Sequence, residues 1–312
     1  MNKTTPAARL VLRLAAALWL LSAVGIAAGR DIYVNNLTGN DRNRGERKDA
    51  QVPIAGPVQT IAKGLRLAVA GDRVVVANTG TSYHEEVSLV GESHSGTNGR
   101  DFVFDGGGAT LDGSVAIPDK AWEHWNGDVF RFRPVRLGTQ QLFLGGRPAR
   151  EHPLTKSDWR LPALEPLEWT LMLGYVYFRV EPGRDPASYH ARQAGLQTGI
   201  TLYHVHNVRV WNLITQGYQQ DGINAHDSAM QATIAGVTSR GNGRSGISVG
   251  GASRVTLDQC LVGDNGRAQL RTDGYCRAYV LDTTLLEATA PAYVVQGGRL
   301  WIDGTEVKSS ER

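Results

Sequence analysis

Hydrophobic positions recur at a regular spacing in the last third of the chain. Gly199-Ile200, Gly222-Ile223 and Gly246-Ile247 follow one another at intervals of 23 and 24 residues. Between them lie apolar pairs, again 22 to 24 residues apart: Val208/Val210, Ala232/Ile234, Val255/Leu257, Ala278/Val280 and Leu300/Ile302. A short repeat of this length is typical of one small unit stacked on copies of itself, and the alternating pairs favour strands over helices. The pattern predicts an all-β fold, a parallel β-helix with three strands per coil.

The repeat at residues 222–245 fixes which side chains face outward. Its strands are predicted at residues 222–226, 232–234 and 237–239, and alternation turns Ile223 inward and His226 outward. Neighbouring coils stack at the strand spacing of about 4.8 Å, so equivalent positions should lie side by side. The outward row predicted for the first strand is Thr201/Tyr203, Asn224/His226, Ser248/Gly250, Arg271/Asp273 and Tyr293.

Residues 115–198 interrupt the repeat, whereas residues 199–307 carry the regular coils. Alternating stretches and the pair Gly145-Gly146 predict hairpins, so we interpret this segment as a β-rich insertion on the side of the solenoid. The insertion carries four tryptophans, Trp122, Trp125, Trp159 and Trp169. They either form the insertion's own small core or stack against sugars, with Trp122 and Trp125 as the candidates.

The N-terminal region opens with a predicted strand in residues 31–36 and a predicted helix in residues 57–70. Pro57 suits the first turn of a helix, and Ile61, Leu65 and Val69 fall on one apolar face. Asn242 and Asn265, later in the chain, each sit in a turn and are expected to have a left-handed backbone.

Residues 1–29 read as a secretory signal peptide, with a basic start, an apolar stretch from Leu14 to Ala28 and small residues for cleavage. A retained membrane anchor is the alternative. Removing Lys3, Arg9 and Arg13 with the leader lowers the 33 basic residues to 30, which equals the 30 acidic ones. We therefore expect a secreted or periplasmic, monomeric domain of residues 30–312 that binds neither nucleic acid nor, after cleavage, membrane.

The chain has two cysteines, Cys260 and Cys276. Cys260 falls at an inward position and is expected to be a buried small hydrophobe. A disulfide between the two is the alternative for an exported protein.

The candidate chemistry lies on the outward row and the loops that enter it, which contribute Asp221, Arg244 and Arg267. His226 would be a general acid or base, because imidazole moves protons near neutral pH. Arg271 would neutralise a uronate carboxylate. Asp221 and Asp273 are either calcium ligands, an acid/base pair or turn residues. The substrate-binding candidates are Tyr203, Asn224, Arg244, Ser248, Arg267, Trp122 and Trp125.

Five short motifs near the N-terminus are Ile32-Tyr33-Val34, Gly39-Asn40-Asp41, residues 57–61, Ala70-Gly71-Asp72 and residues 83–87. With them the chain resembles exported bacterial right-handed parallel β-helix proteins of the pectate-lyase-like superfamily, over residues 31–114 and 199–307. The resemblance implies a right-handed solenoid whose open end is closed by the helix, and relatives that act on polysaccharides. Gln220 to Ile223 is similar to a motif of polygalacturonase-type hydrolases, but Ser245 stands where that family has its histidine.

The favoured function is an exported lyase that cleaves an acidic polysaccharide by β-elimination, with His226 as the base and Arg271 as the neutralising group. One alternative is a glycoside hydrolase that uses Asp221 and Asp273. The other is a non-catalytic carbohydrate-binding or structural β-helix protein with the tryptophans as its platform.

Overall fold

The computed structural model describes residues 29–51, 53–97, 99–155 and 157–307. Apart from Gly29, the predicted signal peptide lies outside these residues. Within them, no helix has the length and apolar character needed to cross a membrane.

The described chain is built from short strands and contains one α-helix, α1 (Ile61–Leu67). The predicted all-β class is therefore confirmed. The strands are β1 (Asp31–Val34), β2 (Arg73–Val76), β3 (Val87–Val90), β4 (Phe102–Asp105), β5 (Thr110–Asp112), β6 (Ser114–Ala116), β7 (Glu123–Asn126), β8 (Val129–Phe132), β9 (Leu142–Leu144), β10 (Arg147–Pro148), β11 (Arg150–Glu151), β12 (Glu168–Met172), β13 (Tyr175–Arg179), β14 (Arg192–Ala194), β15 (Ile200–Gln216), β16 (Asp221–Arg240), β17 (Ser245–Val249), β18 (Arg254–Asp258), β19 (Leu261–Gly263), β20 (Ala268–Thr272), β21 (Arg277–Leu281), β22 (Thr284–Leu285), β23 (Tyr293–Val295), β24 (Arg299–Ile302) and β25 (Thr305–Val307).

Three parallel ladders run through the largest sheet, because β15 and β16 each bend twice and pair in three places. The first ladder joins β3, β15, β16, β17, β20 and β23. The second joins β1, β2, β4, β15, β16, β18, β21 and β24, and antiparallel β25 covers its end. The third joins β5, β15, β16, β19 and β22.

The predicted register of the first ladder is confirmed up to its last strand. Ile200 pairs with Ile223, Ile223 with Ile247, and Ile247 with Leu270, and all four are fully buried. The placement of Tyr293 in the outward row was wrong, because Tyr293 pairs with Leu270, not Arg271. The last repeat is one residue shorter than the others. The missing residue falls in the bend after β23, whereas the prediction placed it before β23.

The bend between the second and third ladders carries one residue with a left-handed backbone in each repeat. Asn212, Gly236, Gln259 and Asp282 have φ between +44° and +57°. A left-handed residue reverses the local direction of the chain, so each repeat turns at an equivalent point.

Asn242 and Asn265 do not have the left-handed backbone expected of them; the residues before them do, Gly241 at φ +62° and Asp264 at φ +56°. Both asparagines are fully buried. The backbone N–H and the side-chain amide of Asn242 donate to Oδ1 of Asn265 at 2.9 and 3.0 Å. Stacked in this way, the amides link neighbouring repeats through the interior.

Helix α1 is shorter than predicted and begins after Thr60, whose hydroxyl accepts from the Lys63 N–H at 3.1 Å. Glu85 accepts from the first two N–H groups of the helix at 2.9 Å each. Pro57 lies outside the helix. Val69 was expected on the apolar face but is 53% exposed, because the chain turns into extended backbone at Ala68.

Residues 114–194 contribute two small sheets, and a separate apolar cluster packs among them. One sheet has the order β11-β12-β13-β8-β7 and the other β10-β9-β14-β6. The predicted turn at Gly145-Gly146 joins β9 to β10, and both glycines have positive φ. Trp169 is buried in the core beside Phe132 and Phe178. Trp159 is exposed.

Cys260 and Cys276 are both buried and both free thiols. The expectation of a buried Cys260 is confirmed, and the disulfide alternative is wrong for this structure. Burial raises the pKa of the Cys276 thiol to about 11.

Candidate functional site

The outward face of the first ladder gathers the polar side chains that the sequence placed there. Thr201 pairs with Asn224, and Tyr203 pairs with His226. Asn224 pairs with Ser248, and Ser248 pairs with Arg271. The outward row therefore has the predicted neighbours over four strands. We call this face the first-ladder row.

His226 is held by two neighbours in the row. Its Nδ1 lies 3.2 Å from Oδ2 of Asp227, and its ring centroid lies 5.0 Å from that of Tyr203. An acid partner on one ring nitrogen fixes the orientation of the imidazole and leaves the other nitrogen for chemistry. Asp227 reaches this position with a left-handed backbone at φ +62°.

Asp273 leans across the strand that separates it from His226. A Cβ built on Gly250 would meet Oδ1 of Asp273 at 2.5 Å, so the carboxylate lies directly over that glycine. Val249 pairs with Thr272, so the residues that follow them, Gly250 and Asp273, are neighbours. On its other side, the N–H of Gly250 donates to the carbonyl of Ala225, the residue before His226. Asp273 and His226 lie on strands two spacings apart, about 9.6 Å, and the Asp273 carboxylate reaches back over the strand between them.

Arg271 is three-quarters buried and faces Asp273 on one side and Gln296 on the other. Its Nε lies 3.9 Å from Oδ2 of Asp273, an ion pair beyond hydrogen-bond length. Its Nη2 donates to Oε1 of Gln296. Among the described residues, neither Nη1 nor the buried Nε has a hydrogen-bond acceptor. Arg271 is thus a positioned cation whose Nη1 donors are available to an anion. Gln296 was not predicted, because the one-residue error at Tyr293 concealed its place in the row.

Asp221 lies beneath this face rather than on it, which corrects the prediction that it enters the groove. It is fully buried. Its Oδ1 accepts from Nε of Arg244 at 3.0 Å and from Oγ of Ser245 at 2.5 Å, and its Oδ2 accepts from Nη2 of Arg244. The hydrogen bond to Asp221 is the main reason that the pKa of Arg244 is raised, with a smaller contribution from Asp273. Asp221 therefore anchors Arg244.

A calcium ion between Asp221 and Asp273 does not fit this arrangement. The guanidinium of Arg244 already neutralises Asp221, and both carboxylate oxygens are engaged. The described part of the chain has no group of three or more His, Cys, Asp or Glu side chains that could hold a metal.

The remaining binding candidates divide between structural and exposed positions. Arg267 donates through both Nη atoms to Glu151 of the insertion at 2.9 Å each, so it fastens the insertion to the loop that joins β19 to β20. Ser248 is buried. Trp122 packs edge-on against Phe132 with ring centroids 4.8 Å apart, and belongs with the insertion core.

Trp125 is 47% exposed and forms an aromatic surface on the insertion. The guanidinium carbon of Arg131 lies 4.6 Å from the Trp125 ring and 4.4 Å from the Tyr175 ring. An exposed indole with a flanking cation is a surface on which a sugar ring can stack.

No protein family matches the chain, and no curated protein matches its sequence. Among solved structures, the chain is similar to one described as "Glycoside hydrolase", with TM-score 0.52, 12% identity, and coverage of 81% of this chain and 74% of that one. It is also similar to "The complex structure of XylC with xylose" (TM-score 0.42, 12% identity, 87% and 69% covered) and to "Rhamnogalacturonan lyase" (TM-score 0.32, 10% identity, 88% and 66% covered). At 12% identity the similarity to the first of these structures shows a shared fold alone.

Proposed function

We propose that the three ladders form a right-handed parallel β-helix and that the protein is an exported lyase acting on an acidic polysaccharide. The observation that carries this proposal is the first-ladder row, in which an oriented histidine and a positioned arginine share one outward face. A regular outward face along stacked strands can hold successive residues of a long polymer. The signal peptide predicted in residues 1–29 supports export.

In the proposed reaction, the sugar carboxylate binds the guanidinium of Arg271. Neutralising this charge makes the C5 proton of a uronate more acidic, and His226 removes it through Nε2. The electron pair of the C5–H bond forms the C4–C5 double bond as the C4–O bond to the leaving sugar breaks. The leaving oxygen takes a proton from water, since the row is open to solvent.

The neighbours of these two residues set their geometry. Asp227 holds Nδ1 of the imidazole, so Nε2 is the nitrogen that faces substrate. Asp221 fixes Arg244, and the negative charge of Asp273 acts on both arginines. Asp273 is half exposed, so it can accept hydrogen bonds from sugar hydroxyls beside the reacting carbon.

The proposal is tested by incubating the protein with a panel of uronate polymers and following the ultraviolet absorbance of the 4,5-unsaturated product. We expect His226→Gln to lower kcat by roughly 100-fold or more, the usual contribution of a general base. Arg271→Gln should lower kcat/KM to a similar extent. His124→Gln, which changes an exposed histidine of the insertion, is the matched control and should keep full activity. Unsaturated product at an unchanged rate in His226→Gln would contradict the mechanism.

A non-catalytic carbohydrate-binding protein is the second candidate, favoured by the exposed surface of Trp125, Arg131 and Tyr175. It predicts polysaccharide binding without turnover. That binding would be lost in Trp125→Ala and unaffected in His226→Gln. Reducing ends that appear without the ultraviolet absorbance would instead show a hydrolase.

A further inference from the structure

A cleft of about 420 Å³ lies between the insertion and the end of the third ladder. Its insertion side is formed by the β9–β10 hairpin and by β14, and its ladder side by Gln216, Arg240 and the bends that follow them. This volume is within the range of roughly 300–1,000 Å³ that is typical of small-molecule sites. The residues of the first-ladder row do not line it.

A continuous chain of five hydrogen-bonded side chains crosses the cleft. Nε of Arg240 donates to Oε1 of Gln216 at 3.1 Å, and Nε2 of Gln216 donates to Oδ2 of Asp112 at 3.3 Å. Oδ1 of Asp112 accepts from the N–H of Ser114 at 2.8 Å. Nε and Nη2 of Arg192 donate to Oγ and the carbonyl oxygen of Ser114 at 2.8 and 2.7 Å. These bonds hold both guanidinium groups in fixed orientations before any ligand arrives.

The groups left available in this chain are donors. Among the described residues, both Nη atoms of Arg240 and Nη1 of Arg192 have no acceptor, and Arg147 adds a third positive charge at the rim. Asp112 is already engaged through both of its oxygens. Guanidinium groups with free Nη atoms bind carboxylates through charge-assisted hydrogen bonds. The carboxylate of Asp264 lines the same cleft and can accept sugar hydroxyls.

An apolar surface stands beside these donors. A Cβ at Gly241, which has φ +62°, would lie 2.9 Å from Cε1 of Phe143 and 3.5 Å from Cγ of Pro148. Glycine at this point therefore lets the hairpin ring approach the third ladder closely. Phe143 is itself only 6% exposed, so its edge and Pro148 form a small apolar border beside the fixed donors rather than a ring face for stacking.

We propose that this cleft is a second saccharide site, which binds an acidic sugar residue with its carboxylate between Arg240 and Arg192. Residues 241–244 form the bend that separates this cleft from the first-ladder row. The cleft would therefore hold part of an acidic glycan away from the reacting face. The proposal does not depend on catalysis at His226.

Calorimetric titration with the disaccharide of galacturonic acid tests this site. The background is the full chain carrying His226→Gln and Arg271→Gln, which removes carboxylate binding and turnover at the row. We expect one disaccharide to bind per protein, with Kd raised roughly tenfold or more by Arg240→Gln, the usual loss for a hydrogen bond to a charged group. Arg254→Gln, an exposed arginine on the second ladder, is the matched control and should leave Kd unchanged.

Two further probes identify what is recognised. The dimethyl ester of the disaccharide keeps its overall shape and loses both charges, so it should bind at least tenfold more weakly. Inorganic sulfate should bind more weakly than the disaccharide. An absence of binding in the background protein, an unchanged Kd in Arg240→Gln, or equal affinity for the ester or for sulfate would overturn the proposal. If the native protein forms no unsaturated product while this binding persists, the proposed function fails and the second site stands.

Discussion

The buried amide of Asn265 should contribute more to stability than any exposed asparagine, because it joins three repeats in the interior. Its Nδ2 donates to the carbonyl oxygens of Ser239 and Gly263 at 3.2 and 2.9 Å, and to Oε1 of Gln269 at 2.8 Å. Its Oδ1 accepts both donors of Asn242. Nδ2 has two N–H groups, which are shared among these three acceptors, so Asn265→Ala removes two donated and two accepted hydrogen bonds and leaves no group of similar shape.

The size of the stability loss in Asn265→Ala depends on which partners of Asn265 keep another hydrogen bond. The Asn242 side-chain amide still donates to Oγ of Ser239 at 3.2 Å, but the Asn242 backbone N–H is left buried without an acceptor. A buried donor without a partner costs about 1–3 kcal/mol, and each further lost bond about 1 kcal/mol. We therefore expect Asn265→Ala to lower the free energy of unfolding by roughly 3–5 kcal/mol.

Urea denaturation followed by circular dichroism measures this loss. Asn126→Ala, an exposed asparagine of the insertion, is the control and should change stability by no more than about 0.5 kcal/mol. Asn242→Ala should cost a similar amount to Asn265→Ala, and the double variant should cost less than their sum because the two share bonds. A loss below about 1 kcal/mol in Asn265→Ala, or additive losses in the double variant, would refute the stacked arrangement.

Three other expectations follow from buried and paired groups. Asp221→Asn should lower the free energy of unfolding by about 2–4 kcal/mol, because Arg244 loses its partner; lost activity at unchanged thermal stability would make Asp221 catalytic instead. With a pKa of about 11, Cys276 should react with a thiol reagent at pH 8 at least about 100-fold more slowly in the native protein than in urea, and equal rates would contradict its burial. Burial raises the pKa of Asp41, but hydrogen bonds from Thr60 and Gln59 outweigh it and hold that pKa below its usual value. Its contribution to stability is therefore present above the ordinary aspartate pKa of about 4 and lost as pH falls further, so Asp41→Asn should be less stable at pH 7 with a shallower acid loss.

The pairing of the strands could be predicted from the sequence because two repeating patterns, the alternation within strands and the repeat length, agree. Alternation set which side chains of a strand face inward, and the 23-residue spacing set which strands are neighbours. The prediction failed at Tyr293, where the repeat loses a residue in a bend. Bends carry no alternation, so a sequence does not show on which side of a strand such a loss falls.

Part of the candidate site followed from that register and part did not. His226 and Arg271 were placed on one face by alternation alone. The burial of Asp221 was not predicted, since a carboxylate before a glycine usually indicates an exposed turn, and its partner Arg244 lies in the next coil. The second cleft was missed entirely, because it depends on contacts between distant segments such as Ser114 and Arg192.

A crystal structure of His226→Gln with a bound trisaccharide of galacturonic acid tests the central claim most directly. We expect a sugar ring bound beside Asp273, its carboxylate within about 3 Å of the Arg271 guanidinium and its C5 facing residue 226. A trisaccharide bound to another face of the coils, with the first-ladder row empty, would contradict it.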